Sequence, residues 1–307
     1  MKTAVARGLK QMASNDDAER RSQRQPPRET VNDTSNIVMP VNAEPESGAA
    51  VRCTDWLDVR LSSQNSLFKD GRLVVWFSCG AASACALKLV AHLNPLAIYC
   101  NLAKNEHPDN VRFRADVEAW TGIKVTVIQS KAYETIEEVA DAKQYMAGPQ
   151  GAPCTVEMKK IPRFAFQRAD DTHIFGFSTD EKNRLKKFED DNHDMNLAWP
   201  LVQAEMTKAD CLEMIVAAGI ALPVLYTQGF ENNNCLGCFK ATSAKYWNRV
   251  RKYYPAVFKR RCEQSRHLGV RLVRYKGVRI FLDELPDDAT DDIKEDLSCG
   301  PQCGGTV

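Results

Sequence analysis

The stretch from Leu73 to Leu93, LVVWFSCGAASACALKLVAHL, constrains this chain more than any other. It opens with Leu73, Val74, Val75, Trp76 and Phe77, an apolar run rich in β-branched and aromatic residues that suits a strand buried on both faces. Ser78-Cys79-Gly80-Ala81-Ala82-Ser83 follows as a turn of small residues. Apolar side chains then recur at helical spacing at Ala84, Leu87, Leu89, Val90 and Leu93. Strand, tight turn and helix in succession make an anion site, because turn amides approach a ligand closely and a helix N-terminus favours negative charge. Ser78 and Ser83 add hydroxyls. Alone, the same pattern also fits a plain strand-to-helix connection.

Downstream the pattern repeats. Pro95 to Cys100 reads as a second strand, Asp109 to Trp120 as a helix and Lys124 to Ile128 as a third strand. Glu134 to Tyr145 reads as a helix broken by Gly148-Pro149-Gln150-Gly151, Pro162 to Gln167 as the start of another, and His173 to Phe177 as a further strand. Strands alternating with helices predict an α/β fold with a doubly wound parallel sheet. Ligands in such sheets sit beyond the C-terminal strand ends at a topological switch point, which singles out the loops after Phe77, Cys100 and Phe177.

The flanks differ in kind. Residues 1–50 are polar, with Arg20, Arg21, Arg24 and Arg28 clustered, and read as a solvated, disordered tail or a nucleic-acid arm. Residues 51–239 are expected to form one domain around this sheet. Residues 240–307 form an extension of basic helices interrupted at Pro255, a hairpin (Val270 to Tyr275 and Val278 to Leu282) and an acidic tail containing cysteines. Net charge excludes little, since 41 Lys and Arg balance 40 Asp and Glu, but its distribution is uneven. Lys240 to Arg279 contains one acid, Glu263, and interleaves its cations with Tyr246, Trp247, Tyr253 and Tyr254. That segment either tracks a nucleic-acid backbone or packs its aromatics inward and solvates its charges. With no apolar run of membrane length and no secretory signal, the chain reads as cytoplasmic.

Eleven cysteines is a high count, and in a reducing compartment close pairs suggest metal or redox chemistry. Cys79, Cys85 and Cys100 lie in or beside apolar runs and read as small core residues. Cys154, Cys235, Cys238, Cys299 and Cys303 are the informative ones. Cys235-Leu236-Gly237-Cys238 is a metal-type knuckle whose two sulfurs can face one centre.

Taken in order, the motifs resemble the phosphoadenosine phosphosulfate (PAPS) reductase family, within the adenine-nucleotide α-hydrolase-like or PP-loop superfamily, from about Leu73 to Phe239. Ser78 to Ser83 resembles the modified PP-loop, Cys154 to Pro162 the C-T-x-x-x-K-x-x-P segment, and Gly176 to Arg184 the G-x-x-x-x-E-x-x-R loop. Trp199-Pro200-Leu201, Thr207 to Asp210, Tyr226 to Phe230 and the Cys235–Cys238 knuckle follow in the family's order. The resemblance implies that residues 51–239 form a nucleotide-binding domain in which Ser78, Cys79, Gly80, Ala81, Ser83, Lys159 and Arg184 hold an adenine nucleotide. Lys160 and Arg163 are further candidates for an anion clamp.

ATP-splitting relatives read S-G-G-x-D-S in the turn; here Cys79 replaces the first Gly and Ala82 the Asp. Loss of that carboxylate weakens a Mg²⁺ site and tilts the turn towards a sulfonucleotide held without ATP cleavage, unless Glu106, Asp109, Asp180 or Glu181 supplies the oxygens. By resemblance, Cys154, Cys235 and Cys238 would hold a [4Fe–4S] cluster with one open iron, or a Zn²⁺ site, completed by Cys299 or Cys303. Pro153 stands where iron–sulfur relatives carry a fourth cysteine. Cys299 and Cys303 otherwise resemble the mobile nucleophile of the reductases, with Lys159 as the catalytic cation and a thioredoxin-like reductant as partner. The resulting expectation is an enzyme reducing PAPS or adenylyl sulfate to sulfite. The alternatives are an ATP-using sulfurtransferase acting on nucleic acid through an iron–sulfur cluster, and an inactive nucleotide-binding protein.

Overall fold

The apolar run at Leu73 becomes β1 (Leu73–Phe77), and Val74, Val75, Trp76 and Phe77 are all buried, as a central strand demands. The structure is a computed structural model describing residues 71–102, 104–149 and 151–291, all within the unit Arg52–Val307. The expected tail over residues 1–50 lies outside the described residues, as do Cys299 and Cys303.

β1 leads through the small-residue turn into α1 (Ala81–Val90), then β2 (Leu96–Cys100), α2 (Asn110–Thr121) and β3 (Val125–Ile128). After α3 (Ile136–Lys143), the chain coils through α4 (Pro153–Thr155), a π-helical turn (Val156–Lys160) and α5 (Ile161–Phe166). The Ile161 N–H closes the wide turn on the Val156 carbonyl. Pro162 explains it: proline has no N–H for the Met158 carbonyl, so the helix widens one residue ahead of it.

β4 (Thr172–Phe175), α6 (Lys182–Asp191) and β5 (Asn196–Ala198) complete the sheet, whose order is β3-β2-β1-β4-β5 with every pair parallel. The α/β doubly wound expectation is therefore met. The first three strands run outward one way from β1 and the last two the other, so the switch point lies between β1 and β4. α6 and β5 carry little sequence signal, because α6 presents only Leu185 and Phe188 to the core and β5 has three residues.

α7 (Pro200–Gln203), α8 (Lys208–Ala217) and α9 (Val224–Thr227) follow, then α10 (Ala244–Tyr253), α11 (Pro255–His267) and the hairpin β6 (Val273–Tyr275) and β7 (Val278–Ile280). The break between the basic helices falls at Pro255, as its ring requires. One sheet face packs Val75, Phe77, Ala97, Tyr99 and Ile174 against α1, α2 and α8. The other packs Trp76, Cys100, Phe175 and Phe177 against Phe188 of α6. A third cluster joins α3, Met158, Trp247 and the hairpin's Val273. No helix among the described residues is long and apolar enough to cross a membrane.

Two local contacts hold the halves of the sheet together. Arg72 places Nε and Nη2 on the two carboxylate oxygens of Asp171, each at 2.7 Å, joining the approaches to β1 and β4. At the opposite end Gly176 lies so close to α1 that a Cβ there would stand 2.6 Å from Ser83 N and 2.8 Å from Ser83 Cα.

These contacts set two expectations. Gly176→Ala meets backbone that cannot swing aside, so denaturant unfolding should show a loss of about 1–3 kcal/mol. Burial raises the Asp171 carboxyl, but the Arg72 fork and the Arg168 amide outweigh it and hold it below its usual range. A carboxyl lowered on folding stabilises above its unfolded pKa and loses that contribution as pH falls through the folded value. Melting temperature should therefore fall below about pH 4 more steeply in the wild type than in Asp171→Asn, which loses about 1.5–3 kcal/mol at neutral pH.

Candidate functional site

The turn after β1 is built almost entirely from backbone. Cys79 has φ +56, the left-handed conformation that glycine takes most easily. Its side chain is fully buried, with Sγ directed to the Asn110 carbonyl at 3.9 Å. Cys79 thus serves the turn through its backbone and the core through its thiol; burial and the neighbouring Glu106 push that thiol up out of the nucleophilic range. The Ser83 hydroxyl donates to Gly80 O at 2.9 Å and accepts from Ser78 N at 3.1 Å, while the two serine hydroxyls lie 3.1 Å apart. Gly80 is the N-cap of α1 and brings no side chain to the first turn, which also carries no acid. Ala81 N donates to the Tyr226 hydroxyl at 3.2 Å, so α9 closes one side of the helix end.

Around this turn the loops after β1, β2 and β4 gather at the carboxyl edge. Asn233, buried in the segment before the cysteine knuckle, donates from Nδ2 to Cys79 O and to Asn110 Oδ1, both at 2.7 Å. Asn110 Nδ2 donates to Glu106 Oε2 at 3.1 Å, and the Tyr99 hydroxyl donates to the same carboxylate. Asn105 donates to Glu137 at 2.6 Å, and Glu137 accepts from the buried Arg261 guanidinium at 2.8 Å. Arg261 Nε in turn reaches Gly237 O at 2.8 Å. Two sets of polar contacts thus meet at the adjacent Asn105 and Glu106, one reaching the small-residue turn and the other running through the half-buried Glu137 of α3 and Arg261 of α11 to the knuckle.

The basic candidates divide into two groups. Lys159, Lys160 and Arg163 are all buried, at 6 %, 6 % and 2 % exposure. Lys159 sits on the π turn with its carbonyl near Cys100 Sγ at 3.7 Å. Burial lifts the Cys100 thiol to about 11, against the pull of the Lys159 and Arg163 charges. Arg163 lies over the rings of Phe164 and Phe175, and its Nε and Nη1 are buried without a hydrogen-bond partner. Desolvation lowers its guanidinium to about 10. A buried cation with two orphan donors is costly and suits an anion nearby. Arg184, in the first turn of α6, pairs with Glu181 and lies over Phe177.

The motif Glu and Asp residues have structural partners. Glu181 accepts from Ser178 N in a capping box, Asp210 does the same for Thr207 at the start of α8, and Asp109 pairs with Arg112 and accepts from Val224 N. Asp180 accepts from Lys208 N.

Cys154, Cys235 and Cys238 are all buried in one apolar cluster. The Tyr246 hydroxyl accepts from Cys238 N at 2.9 Å and donates to Cys235 O at 3.4 Å, clamping the knuckle from α10. Gly237 has φ +64, and a Cβ there would stand 2.9 Å from Val257 Cγ1, so α11 crowds the knuckle from its other side. Among the described residues no group of three or more His, Cys, Asp or Glu is placed to hold a metal ion. The three thiols share one buried apolar cluster, and Cys299 and Cys303, the residues expected to complete an iron–sulfur or zinc site, lie outside the described residues.

Tyr246 and Trp247 belong to that core, so the aromatic members of the basic segment pack inward at these positions. Sequence reasoning missed Asn233, Tyr99 and Asn110, and marked Tyr226 only as the start of a motif. Only the Asn232-Asn233-Asn234 run beside the knuckle hinted at any of them.

Arg163→Met removes the orphan donors while keeping apolar volume. The variant, unfolded without added anion, should equal or exceed the wild type by up to about 4 kcal/mol. Compared with known families and curated proteins, the chain matches no family model and no curated sequence.

Proposed function

We propose that this protein binds an adenine nucleotide bearing a sulfate or phosphate at the carboxyl edge of its sheet, and reduces PAPS or adenylyl sulfate to sulfite through a thiol. The observation that carries the reading is the left-handed Cys79, which keeps the backbone of a glycine turn beneath the N-terminus of α1. With the preceding strand, the switch point and the ordered motifs, it supports a PP-loop-type anion site and the adenine-nucleotide α-hydrolase-like superfamily. Ala82 favours a sulfonucleotide over ATP, because the turn offers no carboxylate for Mg²⁺.

In this reading the turn amides and the Ser78 hydroxyl receive the anion, and the Lys159 ammonium balances its charge from the π turn. A thiolate attacks the sulfur, the sulfur–oxygen bond to the nucleotide breaks, and an enzyme S-sulfo group forms. A dithiol reductant of the thioredoxin type then releases sulfite and leaves oxidised as a disulfide. The attacking thiol is assigned to Cys299 or Cys303, which lie outside the described residues. The buried, protonated Cys79 and Cys100 are unsuited to the role.

Titration calorimetry with PAPS, adenylyl sulfate and ATP, followed by a sulfite assay with thioredoxin, tests the proposal. Lys159→Ala should weaken sulfonucleotide binding about ten- to hundredfold, the worth of one charged hydrogen bond. Cys299→Ser or Cys303→Ser should abolish sulfite release while leaving binding intact. Binding of ATP alone with pyrophosphate release would replace this reading with the sulfurtransferase. Binding without turnover of any nucleotide would leave a nucleotide-binding protein.

A further inference from the structure

The charges of the C-terminal part are not distributed at random. Its acids turn back onto its basic helices. Asp283 and Glu284 pair with Arg266, Asp287 with Arg251, and Asp291 accepts from Ser243 and from Ala244 N at the start of α10. Glu137 takes Arg261 and lies 4.0 Å from Arg260, and Glu263 faces Lys259. The folded chain thereby neutralises much of the segment that looks most basic in sequence.

On α10, Lys245, Arg249 and Lys252 keep no ion pair among the described residues, and the β6–β7 hairpin gathers four more such cations in eleven residues. Residues 271–281, RLVRYKGVRIF, hold Arg271, Arg274, Lys276 and Arg279 and no acid, and all four cations are exposed. Among the described residues none of the four forms an ion pair, although acids follow immediately in sequence at Asp283 and Glu284. The antiparallel register sets Arg274 directly opposite Arg279. Like charges facing across a strand pair oppose hairpin formation. The arrangement is also braced: Arg279 Nη1 donates to Leu272 O at 2.6 Å, Arg274 N donates to Thr242 O at 2.8 Å, and Arg271 lies over the Phe281 ring. The other hairpin face is anchored by buried Val273 in the third core cluster, with Tyr275 and Ile280 packed against that cluster. A rigid ribbon thus holds two facing guanidiniums and two further cations towards solvent.

We infer that this hairpin is a docking surface for the phosphodiester backbone of a nucleic acid. A two-stranded ribbon is one of the shapes a duplex major groove admits, and guanidinium forks match phosphate oxygens. A lipid surface is disfavoured because Val278 is the one exposed large apolar side chain of the hairpin. The inference does not depend on the nucleotide reading, since no residue of the small-residue turn or the π turn takes part.

The test uses the full chain and fluorescence anisotropy with a labelled single-stranded oligonucleotide and a duplex of the same sequence, across a salt series. Arg274→Ser/Arg279→Ser should bind either probe more weakly, and the slope of log affinity against log salt should shrink by about 1.4–1.8 for two lost phosphate contacts. Arg279→Ser removes a repulsion but also the bond to Leu272 O. Lys276→Ser, which breaks no hydrogen bond among the described residues, is therefore the control for misfolding and should shrink the slope by about 0.7–0.9. Equal binding by variant and wild type, or no binding by the wild type at low salt, would overturn the inference. So would equal or stronger hairpin-dependent binding to polyglutamate or to phosphatidylserine vesicles.

Discussion

The approach of β4 to the N-terminus of α1 sets the geometry of everything at the carboxyl edge. Gly176 brings the strand end within a distance of Ser83 and Ala82 that no side chain would permit. The β1 turn is thereby pressed between a strand on one side and the Tyr226 hydroxyl on the other. A turn held in this way keeps its amides oriented before any ligand arrives, which is what lowers the cost of ordering a binding loop.

Behind that edge lies a polar interior whose members depend on one another. Asn233 spans the turn and Asn110, Asn110 meets Glu106, and Glu106 meets Tyr99. On the other branch Asn105, Glu137, Arg261 and Gly237 reach the cysteine knuckle. Buried polar groups are tolerated when satisfied and expensive when not, so such a chain specifies one arrangement of three loops that have no regular structure. Among the described residues, Asn233 Oδ1 and Arg261 Nη2 are left without a hydrogen-bond partner in that interior, and Arg163 stands out with two such atoms, Nε and Nη1. So does the burial of Lys159 and Lys160 on the same short helical stretch, where Pro162 forces the wide turn.

The C-terminal residues show how folding redraws a charge map. The acidic stretch after the hairpin lies on α10 and α11 and cancels Arg251 and Arg266, while Tyr246 leaves the basic segment's surface to clamp the knuckle. Beside Lys245, Arg249 and Lys252 of α10, what remains positive is concentrated on a ribbon too short to be conspicuous in sequence. Its two facing arginines are separated by four residues along the chain and become neighbours only through the hairpin register.

Much of the fold was legible in the residues themselves. The apolar runs at Val74, Ile98 and Ile174 announced buried parallel strands, the helix spacing after Ser83 announced α1, and Pro255 marked the break between α10 and α11, because period and proline geometry act locally. The turn and Lys159 could be singled out for the same reason: small residues and a lysine before Pro162 are local signals. The weak stripe of α6, the three residues of β5, the partners of Asn233 and the inward course of Tyr246 could not be read, since each depends on a segment far away in sequence. Local chemistry determined the strands, the turn and the main candidates. Tertiary packing alone decided that Cys154, Cys235 and Cys238 share one buried cluster, which cations are cancelled and which remain exposed, because burial and electrostatic pairing depend on distances in space.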